Sequence, residues 1–255
     1  MKHNIKQNIP NRRERNFIRI IFFITVLEFI GGVIGVIWGN SEELVYHIVS
    51  SVASLGMVAI LFIPIFTKRI LRVIIPNSMY VIFVIFCFCS IILGDVNNFF
   101  AKFVYWDNLL HLSSGILLSV LGFILINTLN NSKAKKIVLN PFFVAAASFC
   151  FVMTVQSIWE ICEFLSDEWM HTNAQTYMAT TTGSFTSPTD VPLMGHEALR
   201  DTMMDFILDG VGGLVVSIIG YFDLKHGTKR FTASELEILP DEPKLLQEDE
   251  NNKES

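Results

Sequence analysis

Eight ionisable side chains fall in three short segments of an otherwise apolar sequence, and within each segment their spacing is helical. The first segment reads Trp106-Asp107-Asn108-Leu109-Leu110-His111. Asp107 and His111 are four residues apart and share one face of a helix. The second carries Glu160, Glu163 and Asp167, three and four apart, which form a single stripe. The third carries Asp201, Asp205 and Asp209, which repeat every four residues and drift only slowly around a helix. A donor set rich in oxygen with one or two imidazoles suits Mg²⁺, Mn²⁺, Ca²⁺ or non-haem iron better than structural zinc or copper(I). On that reading Glu160, Glu163, Asp167, Asp201, Asp205 and Asp209 ligate a divalent cation. Asp107 orients His111, and His111 serves as catalytic base or additional ligand. Two cations are an open alternative, although the Glu-x-x-His pattern of di-iron bundles is absent and Glu160-x-x-Glu163 stands in its place. Two other uses of such residues compete with a metal site. One is a proton or cation pathway. The other is simple hydrogen bonding between helices, at about 0.6 kcal/mol each.

The elements that must position these groups are set by composition. Of 255 residues, 51% are hydrophobic and only 17% charged, and 22 are Phe; the mean hydropathy is +0.48. A soluble domain of this length needs a more polar surface. The apolar residues gather in six blocks, 17–38, 44–66, 78–93, 109–127, 141–164 and 202–222. Most approach the roughly 20 residues that cross a bilayer as a helix. None alternates with period two as a barrel strand would. The expectation is an all-α polytopic membrane protein with six transmembrane helices spanning 17–222. A basic cytoplasmic arm, 1–16, precedes them, and an acidic, disordered cytoplasmic tail, 223–255, follows. The first apolar run is too long for the hydrophobic region of a signal peptide and no small-x-small site follows it, so it is expected to remain as a span.

Charge in the connections gives a direction. The N-terminal arm carries Lys2, Lys6, Arg12, Arg13 and Arg15; the second loop carries Lys68, Arg69 and Arg72; the fourth carries Lys133, Lys135 and Lys136; the C-terminal segment carries Lys225, Lys229 and Arg230. The first, third and fifth loops hold no base, Lys102, and Arg200 respectively. This alternation predicts both termini in the cytoplasm and the odd loops outside. All three acidic segments then lie at the external face, on spans four to six. A carboxylate at mid-span costs about 2.5–3.5 kcal/mol even on a lenient insertion scale. Such a concentration persists only if protons, bases or a cation neutralise it.

Other features carry less. Glu28 lies mid-span and needs a partner, and His47 is either an interfacial histidine or a further ligand. Cys87, Cys89, Cys150 and Cys162 form no metal-binding spacing and read as packing residues. Asp95 ends the third span. The segment 165–201 is long enough to fold over the acidic residues as a lid, or to be a solvated hairpin. No basic stripe with interleaved aromatics is present, which argues against nucleic acid as a partner.

The segments 106–115, 159–167 and 201–213 resemble the YjdF-like bacterial inner-membrane proteins. The matching residues are Asp107, His111, Gly115, Glu160, Glu163, Asp201, Thr202 and Asp205. The resemblance covers about the C-terminal half and implies a multi-pass inner-membrane protein, with no established activity attached. The Asp triplet is also similar to the Asp-rich motifs of prenyl and phosphatidyl transferases, but their Asn-Asp-x-x-Asp and Asp-Gly-x-x-Ala-Arg signatures are missing. Three functions therefore follow from the residues: a metal-dependent enzyme acting on a membrane lipid or lipid-linked substrate, a proton- or cation-coupled transporter or channel, and a non-catalytic membrane interaction protein.

Overall fold

A computed structural model describes residues 11–40, 43–71, 73–130, 139–179, 186, 189–227 and 237–238. The helices start and stop for local reasons. α1 (Arg12–Trp38) opens on a capping box: Asn11 Oδ1 accepts from the Glu14 amide at 2.9 Å and Glu14 Oε2 accepts from the Asn11 amide at 2.8 Å. The helix thus begins in its basic residues, ahead of the apolar block. α2 (Leu44–Leu61) stops short of the block's end because Pro64 supplies no amide proton and its ring crowds the preceding turn. The chain restarts as α3 (Ile63–Phe66) and leaves through a π-helical turn, Thr67–Leu71. α4 (Asn77–Cys87) runs directly into a π-helical stretch, Phe88–Val96. After the short α5 (Phe99–Lys102), α6 (Trp106–Asn130) carries the fourth span. α7 (Pro141–Met170) is capped by Asn140, whose side chain accepts from the Phe142 amide, with Pro141 in the first turn where its missing N–H does no harm. α8 (His196–His226) ends on Gly227 at φ 68°, a left-handed cap.

Six of these helical runs are long and apolar enough to cross a membrane. α7 and α8, at 30 and 31 residues, are about 45 Å long, against a hydrocarbon core of roughly 30 Å. Their ends therefore project well beyond the apolar blocks. Asp, Glu, Ser and Thr at the C-terminal end of α7 and the N-terminal end of α8 continue the helix and do not stop it.

The spans pack as two groups of three. One core, with Ile21, Met57, Tyr80, Val84, Cys87, Ile92 and Val96, joins α1, α2, α4 and the π-helical stretch. The other, with Phe123, Val144, Ala145 and Val216, joins α6, α7 and α8. The groups meet where Trp106 Nε1 donates to the Cys89 carbonyl at 3.3 Å. Apolar side chains such as Phe23 and Val52 face outward, the side a bilayer would cover. Of the acidic tail, Glu237–Ile238 (β4) pairs antiparallel with Val73–Ile74 (β1) of the second connection. The remaining tail, the first ten residues, Glu42, Arg72 and the fourth-loop lysines lie outside the described residues.

Candidate metal centre

The site depends on how closely α6 and α8 approach. A Cβ on Gly115 would collide with the backbone of Asp209, and one on Gly212 would meet the carbonyl of Leu112. Two glycines therefore let the helix backbones touch, which is how helices associate where lipid removes the hydrophobic drive. This contact sets the axial register that puts the Asp209 side chain behind the His111 ring.

His111 Nδ1 lies 2.8 Å from Asp209 Oδ2. A carboxylate accepts only, so Nδ1 carries the proton and donates. Asp209 Oδ1 accepts from Ser114 Oγ and from Gln156 Nε2. Gln156 Nε2 also donates to Ser114 Oγ at 2.6 Å, and the single Ser114 hydroxyl proton is shared between Asp209 and the His111 carbonyl at 2.7 Å. Asp209, 1% exposed, is thus held from three sides by α6 and α7. It fixes both the tautomer and the tilt of the imidazole.

With Nδ1 engaged, Nε2 faces the other side, where a neutral ring would offer its lone pair. There Asp107 Oδ1 and Asp205 Oδ1 each stand 3.7 Å away. Asp107, His111 and Asp205 offer one donor atom each, all within 4.8 Å of one another. A cation bound at about 2.1 Å holds its ligand atoms roughly 3.0–3.4 Å apart. Closing the two 3.7 Å edges at His111 to that range takes a shift of a few tenths of an ångström, and the two carboxylates draw together with them. Asp205 is 2% exposed, while Asp107 is half-buried and keeps one edge accessible.

The remaining expected ligands surround this trio at greater distance. Glu160, Glu163 and Asp201 lie within electrostatic range of His111 but outside the compact trio. Glu163 Oε1 accepts from Trp159 Nε1 at 2.8 Å. Asp201 lies beside Thr176. Asp167 is occupied elsewhere: it accepts from the Ala174 amide, the Gln175 amide and Thr172 Oγ1 at 2.6–3.0 Å, closing the turn after α7. That turn leads into a short hairpin, Met178–Ala179 (β2) with Val191–Pro192 (β3). It lays Gln175 against Thr202, 3.1 Å away. Residues 180–185, 187 and 188, the middle of the expected lid, lie outside the described residues.

Glu28 and His47 do not reach this centre. Glu28 accepts from Asn97 Nδ2 at 3.3 Å, and His47 Nε2 lies 3.6 Å from Glu43. Asp95 is close enough to Asp107 for their charges to interact. Of the bases near the centre, Lys102 Nζ donates to the Asn97 carbonyl and Arg200 is exposed. The four cysteines are free thiols. Sequence reasoning passed over Ser114, because hydroxyls within spans usually bond their own preceding turn. Its one signal is the spacing of three from His111.

A model for the family described as "Predicted membrane protein (DUF2238)" matches residues 23–226, in agreement with the resemblance drawn from the three acidic segments. No curated protein and no solved structure matches the chain.

Proposed function

The chain belongs to this DUF2238 family of multi-pass membrane proteins, and we propose that it is a membrane-embedded, divalent-cation-dependent enzyme acting on a lipid or lipid-linked substrate. The observation that carries this reading is the His111 ring, locked through Nδ1 by Asp209 and offering Nε2 between two carboxylates. A carboxylate behind a ligating histidine is the arrangement that fixes tautomer and raises ligand basicity at metal sites. The roles differ from those the sequence spacing suggests: Asp209 orients the ring, and Asp107 joins Asp205 and His111 as a ligand. Several carboxylates against one imidazole leave excess negative charge in a poorly solvated place, which a cation relieves. Mg²⁺, Mn²⁺, Ca²⁺ and Fe²⁺ suit the donors. The cation would polarise a phosphoryl or carbonyl oxygen; Asp107, with its accessible edge, stands where a substrate meets the ligands. The positive-inside distribution supports a centre at the external face of a plasma membrane.

Elemental analysis and cation titration of the purified protein test this. Near-stoichiometric cation in the wild type is expected, with loss of at least about tenfold in affinity in Asp205→Asn, a change worth roughly 1.4 kcal/mol. The variant should keep its helicity and lose turnover of membrane lipid extract, followed as mass shifts in the lipids. A wild-type protein that binds none of the four cations, or a folded Asp205→Asn that binds as tightly, would overturn the reading and turn attention to proton flux in proteoliposomes.

A further inference from the structure

Beside the centre, α7 and α8 part to leave a cleft of about 330 Å³ lined by Ser157, Glu160, Ile161, Phe164, Gln175 and Phe206. That is near the lower end of the roughly 300–1,000 Å³ of small-molecule sites, room for one chain and not two. Its mouth lies on the outer flank of the bundle. Ile161 and Phe164 are 57% and 56% exposed, and on a spanning helix such apolar exposure faces lipid. Its exposed lining is almost wholly apolar, with the Glu160 carboxyl buried beneath it. Glu160 is 5% exposed, and its Oε2 accepts no hydrogen bond from the described residues. Gln175 and Thr202 lie against the Glu160 carboxyl and are bonded to each other, so the group is steadied without being saturated. A buried carboxylate oxygen left without a donor carries a penalty that an incoming donor removes.

We propose that this cleft is a lateral binding site for a single-chain amphiphile whose head group carries a hydrogen-bond donor, a hydroxyl or an amine. The head donates to Glu160 Oε2, and the hydrocarbon lies along Ile161, Phe164 and Phe206. This rests on the cation-dependent reading and names the substrate class for the same site. Charge selects the head group. Asp201, Asp205 and Glu163 flank Glu160, so an anionic head at this point adds to the repulsion, whereas a neutral or cationic donor does not. The aromatic and aliphatic wall matches a chain arriving from the bilayer without passing through water.

The test is photo-crosslinking in nanodiscs with three diazirine-bearing probes of equal chain length: a primary alcohol, a primary alkylamine and an alkyl phosphate. Labelled positions are read by peptide mass spectrometry. The alcohol and the amine should label residues 157–164 and Phe206, and the phosphate about tenfold less, the difference one good hydrogen bond makes. Glu160→Leu, which removes the acceptor, should cut alcohol labelling by a similar factor. Ser157→Trp, which fills the cleft from its wall, should do the same and decides the matter if Glu160→Leu does not fold. In cation-free Asp205→Asn the alcohol probe should label within about twofold of wild type, since a neutral hydroxyl head responds little to the loss of one neighbouring charge. That arm separates the two readings: labelling retained without the cation supports the cleft whether or not the metal reading stands. Equal labelling by alcohol and phosphate, undiminished labelling in either cleft variant, or a loss in Asp205→Asn as steep as in Glu160→Leu would overturn the proposal.

Discussion

Asp209 is the residue whose role spacing alone could not disclose. Its period of four with Asp201 and Asp205 marks it as part of one stripe, and on that basis the three look equivalent. The structure separates them by what lies opposite: Asp205 meets Nε2 of His111 and Asp209 meets Nδ1. Which nitrogen an acid meets depends on the axial register of α6 against α8, which no intrahelical spacing encodes. Replacing Asp209 with Asn keeps the volume and puts an amide where a full carboxylate held the ring. Cation affinity should fall by about 10–100-fold, the usual effect of disturbing the group behind a ligating histidine. Calorimetric titration measures this, with the variant's thermal melt as control. Asp107, His111 and Asp205 were legible because an ionisable residue in a span is costly enough to be conspicuous. Ser114 and Gln156 were less so, since neither is costly enough to stand out.

At the scale of elements, the glycine contact between α6 and α8 decides whether the site exists. Gly115→Ala forces a methyl group into the Asp209 backbone, and the helices must part or slide. Overpacking of this kind costs about 1–3 kcal/mol, and here the displacement also pulls Asp209 off His111. The expected result is a lower melting temperature together with weakened cation binding. A distant overpacking variant, Gly220→Ala against Phe123, should lower the melt and leave cation affinity near wild type. The existence and order of the helices were legible from block length. Their ends were not, because the hydropathy signal stops where α7 and α8 continue as polar helix. Nor was the polar knot lower in the bundle: Ser119 Oγ lies 3.2–3.3 Å from Ser148 Oγ, Ser217 Oγ and the Gly213 carbonyl. The inner halves of these spans look nearly apolar residue by residue, and only packing brings the three hydroxyls together.

For the whole molecule, six crossings place both ends of the chain on one side, and the pairing of β4 with β1 is compatible with that count. Which side is cytoplasmic rests on the lysines and arginines of the connections. Single cysteines placed at Asn40, Val104 and Met194 in a variant lacking the four native thiols should react with an impermeant maleimide in intact cells. A cysteine at Lys225 should react only after permeabilisation. The reverse pattern would put the centre at the cytoplasmic face. The arrangement of the spans into two trios was not legible, because in a bilayer the lipid-facing and helix-facing sides of a span are both apolar and no period distinguishes them. One further consequence lies in the seam between those trios. The chain crosses it through Phe103, Val104 and Tyr105, and Val104 and Tyr105 are 83% and 79% exposed, while each trio keeps its own core on its own side. The polypeptide thus crosses between two separately cored trios that meet through contacts such as Trp106 on the Cys89 carbonyl. Severing it there would leave Asp107, His111, Asp205 and Asp209 on one fragment, and the two halves, co-expressed, are expected to reassemble.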